Sequence, residues 1–376
     1  HRMARFKITI CILGAIIVIG LMLRRRDPNI KHLDTIVNVA TLSLVGFILW
    51  ATWREQRGWG SGWSKMAILA MVLAIGWSAY YGWRRLKGTV NCIWFERGAL
   101  LFIVFASTNA WINYGTFHGS KVVHYWDSFH YYIGAKYFPE NRYHLIYHCS
   151  AIAELDDGRG EEFGDRQIRN LKNNALGAAK PVIEAPEECR AVFTPERWVA
   201  FRQDLRMFRT YMGSAWWQKM FKDHGFNATP VWILMGNLIT NIGWDGLSTP
   251  DDLVNSPANL KGRTASERKQ IRERFTQDKK AFAGRIFSLA MIDFGLYAGA
   301  FLLIWWAFGL WGLAFTALVW GTGYPWSYFW TGGSFGRTPW LFMSVAGVCC
   351  MKRGWSALGG AGITWAMLLR VFPGAL

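Results

Sequence analysis

Acidic side chains are scarce along most of this 376-residue chain: of 25 Asp and Glu, only Asp27, Asp34, Glu55, Glu96 and Asp293 lie outside residues 115–285. The rest of the chain therefore lacks the mixed charge of a soluble surface. A cleavage site is missing too. The first apolar run, Ile8–Leu23, is followed directly by Arg24, Arg25 and Arg26 rather than by small residues, so no cleavable signal is apparent and the run reads as a short retained membrane helix. No internal repeat, low-complexity tract or intramembrane charge pair stands out, and these absences disfavour a transporter. The metal ligands are incomplete: five of the eight histidines fall between His118 and His148, and His144 and His148 have i, i+4 spacing, yet no full donor set accompanies them. No metal or other cofactor is expected. The acidic run Glu154–Asp165 lacks the alternating oxygen ligands of a calcium loop and reads as a solvated turn.

What is present is apolar. Such residues make up 52% of the chain and aromatics 16%, with 23 tryptophans, in long runs separated by short basic connectors. That composition predicts an all-α polytopic membrane protein. About 20 apolar residues cross a bilayer, which places about eight transmembrane helices near residues 8–23, 35–53, 66–83, 98–114, 286–307, 310–323, 338–351 and 355–372. The formal charge of +17 would suggest nucleic acid in a soluble chain. Here Arg and Lys gather beside apolar runs, so membrane lipids are the expected partners and nucleic acid is not.

Four regions follow: additional N-terminal helices over 1–97, a first core helix over 98–114, an external loop domain over 115–285, and C-terminal helices over 286–376 that read as an unfinished set. Basic clusters at Arg24–Arg26, Arg84–Lys87 and Lys352–Arg353 face the cytoplasm in this scheme, leaving the long loop extracytoplasmic at a bacterial inner membrane. Within the loop, residues 229–244 are apolar enough for a re-entrant or interfacial helix. Residues 265–282 are polar all round and predict a helix capped by Ser266. Cys149 and Cys189 are the only cysteines in the loop, and an isolated pair outside the cytoplasm is most simply a disulfide.

The segment WDSFHYYIGAKYFPENRYHLIY, residues 126–147, has an Asp beyond a membrane helix, a Tyr-Tyr pair, two small residues and a closing Tyr. It resembles the first external loop of GT-C-type glycosyltransferases, in the branch of polyprenyl-phosphomannose-dependent α-mannosyltransferases. ATPVW at 228–232 resembles that family's Pro-containing start of a juxtamembrane helix. GRIFSLAMIDFGLYAGAFLLIW at 284–305 resembles its next span, and residues 332–373 resemble its two closing spans with a basic-x-x-Pro end. The chain departs from the pattern in its extra leading helices, its long loop and Arg370 in place of a commoner Lys.

The resemblance implies transfer of a sugar from a polyprenyl-phosphate donor to an extracytoplasmic acceptor, with Asp127 as general base and Arg337 and Arg370 for the leaving phosphate. Trp126, His130, Tyr131 and Tyr132 are the accompanying binding candidates. Plainer readings stand beside these. Asp127 with Ser128 also suits a helix cap, Arg337 an interface anchor, and the aromatics an interfacial belt. A catalytically silent integral-membrane subunit, held among other membrane subunits, is the alternative function.

Overall fold

The computed structural model describes residues 93–118, 121–159, 166–242, 264–323, 326–371 and 373, with a few helical positions between 12 and 43. The expected spans at 8–23, 35–53 and 66–83 lie outside the described residues, apart from those few positions. The chain divides into two compact units, residues 1–115 with 314–327, and residues 116–313 with 328–376.

About eight transmembrane helices is not what the described chain contains. Among the described residues one helix, over Ala265–Gly321, is long and apolar enough to cross a membrane. The reason is length. Two expected C-terminal spans are helices of 14 residues each, Pro339–Lys352 and Ser356–Leu369, and at 1.5 Å per residue each rises about 21 Å against a hydrocarbon core of about 30 Å. The expected span at 98–114 is a helix, Ile93–Trp111, that takes Glu96 and Arg97 into its first turns. The expectations for 265–282, 286–307 and 310–323 merge into Ala265–Thr322, because nothing between 282 and 286 stops a helix; the break comes at Gly309, whose φ of 72° is left-handed. Its cap is Thr264, not Ser266: the Thr264 Oγ1 accepts the Glu267 N–H while Glu267 accepts the Thr264 N–H at 2.8 Å, a reciprocal capping box.

The chain is not all-α either. Strands β1 (Gln167–Asn170) and β2 (Ala175–Ala178) pair antiparallel, Gln167 opposite Ala178 and Asn170 opposite Ala175. Asn170 and Asn173 side chains accept backbone N–H groups of Lys172 and Ala175, the local bonds that favour a turn over a helix.

We number the helices used below α1 (Ile93–Trp111), α2 (Tyr125–Lys136), α3 (Ile146–Glu154), α4 (Glu187–Arg190), α5 (Pro195–Met212), α6 (Ser214–Met220), α7 (Pro230–Asn241), α8 (Ala265–Thr322), α9 (Pro339–Lys352) and α10 (Ser356–Leu369). In the first unit Trp111 of α1 donates its Nε1–H to the Trp326 carbonyl at 3.0 Å.

The core of the second unit is built round α2, nine of whose residues, Ser128 to Lys136, are buried. Phe129 and Tyr132 meet Phe208, Trp217 and Phe282. On another side the small pair Gly134–Ala135 lets neighbours in. A Cβ on Gly134 would strike the Phe226 ring, and the Ala135 carbonyl accepts the Asn237 side chain of α7 at 2.9 Å. Lys136 and Tyr137 converge on the buried Asp204 of α5, at 2.7 and 2.8 Å. Helix α7, the expected re-entrant segment, buries Trp232, Ile233, Gly236 and Thr240 and leaves Leu234 and Leu238 exposed.

The described part of the acidic run, residues 154–159, is not a solvated turn, and residues 160–165 lie outside the described residues. Glu154 and Asp157 are buried and paired with arginines spaced i, i+4, i+7 on α5: Arg209 reaches Glu154 at 2.5 Å and Arg202 reaches Asp157 at 2.8 Å, with Arg206 beside it. Arg190 of α4 takes Asp156 at 2.5 Å. The charges could be buried because each carboxylate meets a planar donor fork. Cys149 of α3 and Cys189 of α4 are bonded, with Cα atoms 5.2 Å apart.

Candidate functional site

Asp127 occupies the first turn of α2, but it does not cap that helix. His124 does: its Nδ1 lies 3.2 Å from the Asp127 N–H. The same nitrogen is 3.2 Å from the Asp127 carboxylate. With its lone pair exposed Nδ1 caps the helix, and with a proton there it pairs with the carboxylate. The carboxylate also accepts from the Arg337 guanidinium. Burial alone would raise the Asp127 pKa; the His124 and Arg337 charges outweigh it and hold the carboxyl well below the usual range. The side chains keep access to solvent, 21% exposed for Asp127 and 36% for Arg337.

Arg337 is aimed by the loop 332–338. Its turns need left-handed backbone, supplied by Gly333 and Gly336 with φ near 70°. Its carbonyls are pinned by donors from elsewhere: Gly333 by the His124 N–H at 2.8 Å, Gly336 by the Trp232 indole at 2.6 Å, and Gly332 by the His118 ring at 3.0 Å. A carbonyl only accepts, so His118 carries its proton on Nε2, and its Nδ1 is left buried with no partner among the described residues. Burial, with the His124 charge, lowers the His118 pKa to about 4. The loop ends on Asp293 of α8, fully buried, whose Oδ1 accepts the Thr338 N–H at 3.4 Å and whose Oδ2 has no hydrogen-bond partner among the described residues.

Arg370, just past α10, donates to the Tyr131 hydroxyl and to the Asn227 side chain at 3.2 Å. Tyr131 packs its ring on Trp232 at 5.0 Å. Burial raises its pKa against the opposing Arg370 and Arg337 charges, so it stays a neutral phenol. Four of the predicted residues therefore share one locus: Asp127 with Arg337, and Tyr131 with Arg370, the two pairs linked through Trp232 and the 332–338 loop.

His130 sits behind them. Its Nδ1–H donates to the Trp126 carbonyl at 2.9 Å, so its Nε2 accepts from the Tyr147 hydroxyl at 2.7 Å, which in turn accepts the Gly225 N–H at 3.1 Å. Burial lowers its pKa and keeps that tautomer neutral. Trp126 turns outward and donates to Asp223 at 2.7 Å. Tyr132 is not brought to this locus: fully buried, it serves the Lys136–Asp204 network. His144 and His148 do not share a helix face, since His144 lies in the turn before α3.

Sequence reasoning assigned no role to Asp223, Asn227 or Asp293, and weighed His118 and His124 only as members of a histidine cluster without a full ligand set. Asp293 alone carried a signal, as the single acid in a long apolar stretch. No protein-family model, curated protein or solved structure matches this chain.

Proposed function

We propose that this chain is a membrane-located sugar transferase that uses a polyprenyl-phosphate donor, with Asp127 as the base and Arg337 and Arg370 as the phosphate-binding cations. The observation that carries the reading is the meeting of Asp127, Arg337, Tyr131 and Arg370, drawn from three distant segments into one partly open locus. Membrane location is supported by α8, whose most apolar window is only 17% buried and which presents Leu302, Trp305, Phe308 and Phe315 outward. An apolar helix that belonged to a soluble core would be covered.

The resting ion pair sets the order of events. A carboxylate locked to Arg337 is a poor base, because its pKa lies far below the operating pH. A donor phosphate competes for the same guanidinium, which binds phosphate in the planar forked geometry it uses for carboxylate. Drawing Arg337 off Asp127 raises the carboxyl pKa. Asp127 then takes the proton of the acceptor hydroxyl, the hydroxyl oxygen bonds to the anomeric carbon, and the polyprenyl phosphate leaves with the electrons of the broken bond. Arg370, already donating to Tyr131, supplies a second cation for that leaving group.

The same ion pair favours a second reading, a silent membrane subunit in which Asp127 and Arg337 merely tie α2 to the 332–338 loop. Turnover of radiolabelled polyprenyl-phosphate mannose by the purified chain separates the two. An active enzyme should lose about 10²–10⁴-fold in rate on Asp127→Asn; native-rate transfer by a folded Asp127→Asn, or no turnover by the native chain, sinks the transferase.

A further inference from the structure

One side of the locus ends in an exposed aromatic corner that the proposed chemistry does not use. Trp216 of α6 is 53% exposed, while the neighbouring Trp217 is buried and fixes the helix beneath it. Trp216 meets Trp126 edge to face, centroids 5.8 Å apart at 87°. At the base of this corner lies Asp223. Its Oδ2 accepts the Trp126 indole at 2.7 Å and its Oδ1 accepts the His224 N–H at 2.8 Å. The side chain is still 37% exposed, and a carboxylate offers about four acceptor positions, so lone pairs remain on both oxygens. Lys219 stands over Trp216 with its Nζ 5.3 Å from the ring centre. His130 lies between the corner and the base, 3.9 Å from Asp223 and within the field of Asp127.

We propose that Trp216, Trp126 and Asp223 form a saccharide-binding subsite that holds the sugar acceptor beside Asp127. A sugar ring has one face of C–H groups and a rim of adjacent hydroxyls. An exposed indole receives the former, and a carboxylate whose two oxygens are fixed by other donors receives a pair of the latter. Lys219 adds a donor at the rim. An anionic lipid surface fits less well, since Asp223 would face like charge there. The proposal rests on the sugar-transfer reading for the role of the bound sugar, but not for the binding itself.

The test is saturation-transfer NMR of the purified full chain with mannotriose and cellotriose as probes, alongside donor turnover. Ring C–H protons of at least one probe should receive saturation. Trp216→Ala should weaken that binding at least tenfold, Asp223→Asn should weaken it as well, Trp216→Phe should restore part of it, and the melting temperature of Trp216→Ala should match the native. Binding that ignores Trp216→Ala, binding of neither probe by the native chain, or loss only of association with phosphatidylglycerol vesicles would each overturn the subsite. Saccharide binding without donor turnover defeats the transferase and leaves the subsite standing. Turnover in Trp216→Ala with an unchanged acceptor KM does the reverse.

Discussion

Arg337 reaches back across 210 residues to pair with the Asp127 carboxylate, and the pair joins the first turn of α2 to the loop before α9. A carboxylate so held is ionised at any working pH, so whatever this locus does begins from an anion and a cation already in contact.

Removing the cation should move the titration of the anion. In Arg337→Gln the Asp127 carboxyl loses one of the charges that depress its pKa, so the acid limb of a pH–rate profile should shift to higher pH. A silent subunit shows no profile to shift, and a profile that stays in place would mean that another group carries the acid limb.

Lys136 and Asp204 are 7% and 3% exposed and bonded at 2.7 Å. Breaking this pair from one side, Lys136→Met, leaves a buried carboxylate with the Tyr137 hydroxyl alone, and should cost about 3–5 kcal/mol of stability. The double variant Lys136→Met with Asp204→Leu should recover most of that loss in a denaturant melt, because no charge is then left unpaired.

The Cys149–Cys189 bond closes a separation of 40 residues. In the chain-entropy account that constraint contributes about 4 kcal/mol. Cys149→Ser with Cys189→Ser should lower the melting temperature by the corresponding amount, and reducing agent should lower the native chain's to the same value while leaving the variant's unchanged.

His118 predicts how stability falls with acid. Its pKa drops from 6.5 to about 4 on folding because the ring is buried beside His124. Between these values the unfolded chain binds a proton that the folded chain refuses, so stability declines as pH falls from about 6.5 to about 4 and levels off below. The contribution is on the order of 3 kcal/mol. Melts of His118→Gln should show a shallower slope across that window, and an unchanged slope would assign the acid sensitivity elsewhere.

Much of the second unit's secondary structure was readable because it follows from local rules. Pro230 after Thr229, Pro339 after Thr338 and the Gly354 turn mark helix ends within one or two residues of where the pattern put them. The disulfide was legible because two cysteines in one segment leave one pairing. The count of membrane helices was not legible. The expected span at 338–351 was already only fourteen positions long, and the folded backbone stops the expected 355–372 span after fourteen residues as well.

The sequence by itself determined that Asp127 would stand at the start of a helix among aromatic side chains, and that basic residues would be available late in the chain. Tertiary structure alone decided the rest: that Arg337 and not water neutralises Asp127, that His124 takes the cap, that Tyr131 faces Arg370 while its neighbour Tyr132 turns into the core, and that Asp223 and Trp216 come up beside Trp126. Successive residues on a helix point about 100° apart, so adjacency in sequence separates side chains. Contacts between segments about 100 to 240 residues apart follow only from the packing that brings those segments together.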